Sequence, residues 1–154
     1  MNKINKISLH QIVLFGAMGL LTLRTLIATG FDLRIGLLWW LLGMIIGFVF
    51  VFTDRFVYSL VMKPNESLSL RIKEFFGNRQ FVEGVAVLVE EKAEQKELVM
   101  RSFLFLMVWA VLGFFSMTSI ANDFSRGFVL GIGTHLVFDF FYDYFYDRAR
   151  FDTW

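Results

Sequence analysis

The sequence predicts an all-α integral membrane protein with four transmembrane helices and a cytoplasmic amphipathic helical hairpin between the second and third spans. Hydrophobic residues make up 56% of the chain and charged residues 19%, against about 45–50% and about 25% in an average soluble domain. The charges are also gathered between long apolar stretches, as they are in a chain that crosses a bilayer several times. All 154 residues are expected to form a single four-span domain.

The apolar stretches define the four spans. The first covers residues 10–29, and a short turn joins it to the second, which covers 35–62. Pro64 ends the second span, because proline cannot continue a helix and disfavours helical geometry in the residue before it. The third and fourth spans cover 102–120 and 127–146, on either side of a short polar turn.

The segment between the second and third spans holds 14 of the 29 charged residues, and we expect it to form a cytoplasmic helical hairpin over residues 66–97. Gly77 followed by Asn78 is a helix stop, and a second amphipathic pattern starts at Phe81. No proline interrupts residues 79–121, so the sequence allows one rod of about 43 residues, roughly 60 Å long, that runs into the third span. The apolar face of the first hairpin helix consists of Leu68, Ile72, Phe75 and Phe76.

Lysine and arginine residues near the span ends predict the orientation. The outer turns carry only Arg34 and Arg126 if both termini are inside, and this count leaves out Arg24 and Arg55, which lie within spans. We therefore expect cytoplasmic N and C termini in a bacterial inner (plasma) membrane. The basic residues on the cytoplasmic side are then Lys3, Lys6, Lys63, Arg71, Lys73, Arg79, Lys92, Lys96, Arg101, Arg148 and Arg150.

Ionisable side chains inside the spans mark the candidate site. His135, Asp139 and Asp143 follow one another at steps of four along the fourth span, so they lie on one helical face. At 1.5 Å per residue, His135 lies about 12 Å into its span, near the bilayer midplane. Asp54 and Arg55 lie about 28 Å into the second span, at the inner level of Asp139 and Asp143. Because such groups are costly in a membrane and usually mark function, we predict a polar layer there.

Two interpretations of this polar layer stay open. It is either the inner mouth of an ion pathway with His135 above it, or a structural ion pair of Arg55 with Asp139 or Asp143 that locks the bundle. His135 and Asp139 are also two candidate metal ligands, although two ligands do not make a site. A water-filled inner mouth would indicate an ion pathway, and a closed ion-pair network would indicate a structural role.

The pattern His135-x3-Asp139 is similar to the His-x3-Asp helices of membrane-bound metal-dependent hydrolases. This resemblance implies metal-assisted hydrolysis, but no second cluster of His and Asp residues completes such a site, and we do not assign the family. Cysteine is absent, and the sequence contains no phosphate loop, Ser/His/Asp set or nucleotide fingerprint. We therefore expect no catalytic residues, no enzymatic activity and no cofactor other than a bound cation.

Glycine spacing predicts which helices touch. Gly43 and Gly47 form a G-x3-G pair in the second span, and Gly127 and Gly131 form another in the fourth. Small residues at this spacing let membrane helices approach closely. The two pairs favour a contact between the second and fourth spans, within one chain or between subunits.

Two functional classes follow from these features. The first, which the sequence favours, is an oligomeric channel or carrier for a cation or protons, in which His135, Asp139 and Asp143 line the path; the second is the alternative. Four spans enclose little volume, so a conduit would need a homo-oligomer. The second is a non-catalytic assembly or adaptor protein whose hairpin docks a cytoplasmic protein partner. The other expected partner is the lipid bilayer, and the mixed charges of the hairpin argue against nucleic acid.

Overall fold

A computed structural model describes residues 4–28, 35–91, 95, 98–119, 122–146 and 151–152. About 85% of these residues are helical and none is in a strand, which confirms the all-α prediction. One described helix, Ile35–Met62, is by length and composition able to cross a membrane, with a mean hydropathy of 2.5. Ile12–Ala28 and Phe103–Ser116 are shorter apolar helices. The four-span arrangement therefore stays a prediction.

The described helices follow the predicted order closely. The main difference in the bundle is at the fourth predicted span, which starts at Asp123 instead of Gly127. Asn122 caps this helix, because its Oδ1 accepts the Ser125 N–H at 3.2 Å, and a carboxylate in the first turn is favoured by the helix dipole. The helices are α1 (Ile4–Ala28), α2 (Ile35–Phe50), α3 (Thr53–Val57), a π-helix (Tyr58–Met62), α4 (Ser67–Gly77), α5 (Phe81–Glu90), α6 (Phe103–Ser119) and α7 (Asp123–Tyr146).

The centre of the fold is the contact between α2 and α7. Gly43 and Gly47 lie against backbone atoms of α7, and Gly127 and Gly131 lie against backbone atoms of α2. A Cβ atom at any of the four would collide with the opposite backbone, so only glycine permits this approach. The opposing backbone atoms belong to Trp40, Met44, Phe48, Phe124 and Phe128.

The second predicted span is interrupted near its inner end. Helix α2 ends at Phe50, a two-residue turn leads into α3, and the last turn before Pro64 is π-helical. In the first of these turns the Phe52 N–H donates to the Val49 carbonyl at 2.9 Å. A regular α-helix would direct this N–H to Phe48. The Phe48 carbonyl is thereby released for a bond with another helix.

Helices α4 and α5 form the predicted hairpin. Leu68 and Ile72 of α4 pack against Leu88 of α5 in a small buried cluster. Gly84 lies so close to the ring of Phe76 that a Cβ atom would collide with it. Helices α4 and α5 therefore pack closely against each other along one side of α5.

The single rod predicted over residues 79–121 is wrong. Helix α5 ends at Glu90, and neither Gln95 nor Leu98 is helical. Helix α6 starts after Ser102, whose Oγ accepts the Phe105 N–H at 3.1 Å as an N-cap. The hairpin helices thus end earlier than residue 97, and the connection to α6 is a separate segment.

Several predictions fall on residues that the structure does not describe. These are the turn at 29–34, residues 92–94 and 96–97 of the hairpin, and the tail at 147–150, together with the side chains of Lys6 and His10.

Candidate functional site

The predicted polar residues lie in one buried cluster, where α3 and α7 meet the segment that precedes α6. Each member is 7% exposed or less. The structure adds Arg101 to the five residues expected from the sequence. The members of this polar cluster are Asp54, Arg55, Arg101, His135, Asp139 and Asp143.

Arg101 is the ion-pair partner of both carboxylates on α7. Its Nη2 binds Asp139 Oδ2, and its Nη1 lies 3.3 Å from Asp143 Oδ2. The two aspartates are one helical turn apart, so one planar guanidinium can bind both carboxylates, each through a different Nη atom. The ion-pair interpretation of the polar layer named Arg55 in this position, and the structure places Arg101 there.

Arg55 binds the hairpin instead. Its Nη1 donates to the Leu88 carbonyl at 3.2 Å, and Gln95 Nε2 donates to the same oxygen at 3.1 Å. Leu88 lies in the last turn of α5, where carbonyls have no partner further along the helix and cations are favourable. The guanidinium also lies over the ring of Phe52, 5.3 Å from its centroid. Arg55 therefore fixes the end of α5 to the second span.

Asp54 fixes the start of α6. Its Oδ2 accepts the Met100 N–H at 2.7 Å, and the backbone of Val99 provides a further hydrogen bond. Both residues lie within three positions before the Ser102 cap. Asp54 and Arg55 therefore hold the two ends of the connection between the hairpin and α6.

His135 is enclosed by the interrupted part of the second span. Its Nδ1 lies 2.7 Å from the released Phe48 carbonyl, and because a carbonyl only accepts, Nδ1 carries the hydrogen. Nε2 then faces Asp139 Oδ2 at 3.4 Å. The ring centroids of Phe48 and Phe52 lie 4.5 and 4.7 Å from the centroid of the imidazole ring. The two rings exclude water from the imidazole.

The cluster has two parts. His135, Asp139, Asp143 and Arg101 join α7 to the segment before α6, and Asp54 and Arg55 join α3 to that segment and to the hairpin. The two arginines and three aspartates of the cluster give a formal charge of −1 with neutral His135, and a proton on His135 would balance this charge. His135 and Asp139 stay the two metal-ligand candidates. Across the described ranges, no group of three or more His, Asp or Glu side chains is placed to hold a metal ion.

Sequence reasoning missed Arg101 as a site residue. From the sequence alone, Arg101 is one of the cytoplasmic basic residues that flank the spans. Its signal was its position directly before the apolar run of α6, which puts it at the same inner boundary as Arg55. The role of the Phe48 carbonyl had no sequence signal, because it depends on a local change in backbone hydrogen bonding.

Two surface grooves are lined by other residues. One is lined mainly by apolar residues of α1, α6 and α7, including Val13 and Trp109, and the other by Trp39 and residues 122–124. Neither of these grooves includes a member of the polar cluster, and each member is 7% exposed or less. The chain matches no protein-family model, no curated protein and no solved structure.

Proposed function

We propose that this protein is a non-catalytic membrane-embedded assembly or adaptor protein with four spans. It holds a helical hairpin at the cytoplasmic face of a bacterial plasma membrane, where the hairpin docks a partner protein. The observation that carries the proposal is the use of the polar cluster. Its charged side chains are buried and bind the connection between the hairpin and α6, as a structural lock would require.

The distribution of apolar surface supports four spans. Leu104, Val111 and Phe114 of α6 are 73%, 70% and 74% exposed, and such a surface is suited to lipid rather than water. Helix α7 is more polar, but its glycines hold it against the backbone of α2. A membrane-spanning α2 would therefore carry α7 across the bilayer and shelter its ionisable side chains.

The cytoplasmic face of α4 is the surface that we assign to the partner protein. Arg71, Lys73 and Glu74 are exposed there beside the apolar Leu70. Arg71 Nη1 lies 2.7 Å from Glu91 Oε2, which ties this face to the end of α5. Mixed charge around an exposed apolar residue suits a protein partner.

A photo-crosslinking amino acid at Leu70 tests this assignment in native membranes. We expect one discrete protein adduct, which the charge reversal Lys73→Glu abolishes. The same probe at Leu104, a lipid-facing position in the proposed arrangement, is the matched control. Adducts that are equal at both positions, or insensitive to Lys73→Glu, would rule out docking on α4.

An oligomeric channel or carrier for protons or a cation is the second candidate. It is favoured by the series of ionisable groups along α7 and by the net formal charge of the cluster, which a proton or cation would neutralise. Flux measurements on liposomes with the wild type and Asp139→Asn separate the two candidates. The adaptor predicts no flux and a less stable variant. Wild-type flux that a normally stable Asp139→Asn variant lacks would establish the conduit.

A further inference from the structure

We propose that α5 lies along the inner surface of the bilayer, with an apolar stripe of Phe81, Val82 and Val85 inserted at the boundary between headgroups and acyl chains. The occupant of this stripe is lipid. The inference rests on the proposed four-span arrangement, and it assigns the face of the hairpin that the partner protein does not use.

The stripe is an exposed side of a helix whose adjoining side is buried. Phe81, Val82 and Val85 are 59%, 79% and 42% exposed. Gly84 and Leu88, which are buried against α4, lie about 160° and about 120° around the helix from Val82. A short helix with one buried side and an apolar outer side fits a helix that lies in the plane of a membrane interface.

The C-terminal end of α5 is held at the level of the inner membrane boundary. Arg55 lies twenty residues after Ile35, which is about 30 Å along a helix and equals the thickness of the hydrocarbon core. Its Nη1 binds the Leu88 carbonyl at 3.2 Å. The last turn of α5 therefore cannot lie far from the acyl chains.

The N-terminal end of α5 is held at a similar level. Phe56, the next residue along the span, stacks on Phe76 with ring centroids 6.1 Å apart. Phe76 in turn contacts Phe81 at 5.8 Å. Because both ends of α5 are tied to adjacent residues of the same helix, α5 runs along the membrane surface instead of projecting into the cytoplasm.

The surroundings of the stripe also match a lipid interface. Val57 and Val61 at the inner end of the second span are exposed, so apolar surface reaches the level of the hairpin. Arg79 is exposed two residues before Phe81, where its guanidinium can reach lipid phosphates. A cation beside an inserted apolar stripe is the usual composition of a helix at a membrane surface.

The absence of cysteine permits a direct test with single-cysteine variants of the full chain. Val82→Cys, Glu83→Cys and Val49→Cys are each labelled with an environment-sensitive NBD probe. The proteins are reconstituted in nanodiscs of phosphatidylcholine and phosphatidylglycerol. Quenching by doxyl-labelled lipid and by aqueous iodide is measured for each. We expect lipid quenching and iodide protection at position 82, and the reverse at Glu83, which points about 100° away around the helix.

Each alternative outcome has a separate meaning. Equal iodide access at 82 and 83 would overturn the inference while leaving the four spans intact. Protection from iodide without lipid quenching at 82 would also overturn it, because a second copy or another protein would then cover the stripe. Val49 is exposed on α2, and in the proposed arrangement it lies within the hydrocarbon core, so a lack of lipid quenching there would contradict the four-span proposal itself. Val85→Cys replaces Val82→Cys if that variant does not fold.

Discussion

Arg101 has more structural consequences than its place in the sequence indicates. One guanidinium forms ion pairs with both Asp139 and Asp143, and it belongs to the segment that Asp54 also holds. Removal of one member of a buried ion pair leaves an uncompensated charge, which typically costs about 3–5 kcal/mol. The same side chains therefore determine both the stability of the bundle and the position of the hairpin.

Asp139→Asn should lower the free energy of unfolding by about 3 kcal/mol, because Arg101 loses one of its two carboxylate partners in a buried site. The unfolding temperature in detergent, followed by tryptophan fluorescence, measures the loss. Asp152→Asn at an exposed position is the control and should be neutral. In a double-mutant cycle, Arg101→Met with Asp139→Asn should cost less than the two single changes added. Additive effects would contradict a direct pair.

His135→Phe should also destabilise the protein, by about 1–3 kcal/mol, because a ring of similar size leaves the Phe48 carbonyl without this donor. His135→Asn retains an N–H donor and should recover part of the loss. The same thermal measurement compares both variants with the wild type. A fully stable His135→Phe protein would mean that the bond to Phe48 contributes little.

At the scale of elements, the fold depends on two helices that are far apart in the sequence. Helices α2 and α7 meet backbone to backbone at four glycines. Such close packing gains dispersion energy and does not depend on the hydrophobic effect, which is absent between helices in lipid. Small changes in side-chain volume at this contact should therefore have large effects.

Gly131→Ala should reduce the unfolding temperature, because the added methyl group collides with the backbone of α2 at Met44. Gly16→Ala is the matched control within α1, where nothing lies within 4 Å of the position that the added methyl group would take. Alanine also has a better helix propensity than glycine, so the control should be neutral or slightly stabilising. Equal behaviour of the two variants would contradict the α2–α7 contact.

The sequence was a good guide to elements and a partial guide to the site. The helices and the contact at the four glycines could be predicted, because hydrophobic periodicity and small-residue spacing are local signals in the sequence. The break after Glu90 could not, because nothing local ends α5 there. Long-range bonds from Asp54 and Arg55 fix the segment between α5 and α6. The ion pair also depends on long-range contacts. Predicted depth alone places Arg55 close to the α7 aspartates, whereas the fold brings Arg101 to them.

At the scale of the whole molecule, the proposed orientation can be read from two exposed asparagines. Asn78 lies in the hairpin turn and Asn122 lies just before α7. With cytoplasmic termini, Asn122→Cys should react with a membrane-impermeant maleimide in intact cells, and Asn78→Cys only after the membrane is permeabilised. The cysteine-free wild type is the background control. Labelling of both positions from one side would contradict the four-span arrangement.

The pairing of α2 with α7 has a consequence for biogenesis. In the proposed topology α2 leaves the ribosome long before α7, because the hairpin and α6 lie between them in the sequence. Helix α7 carries His135, Asp139 and Asp143, so it partitions poorly into lipid by itself. Its integration should therefore depend on an α2 that is already in place with its glycine surface still unoccupied. Helix α7 would then join α2 as a late assembly step, after it has left the ribosome.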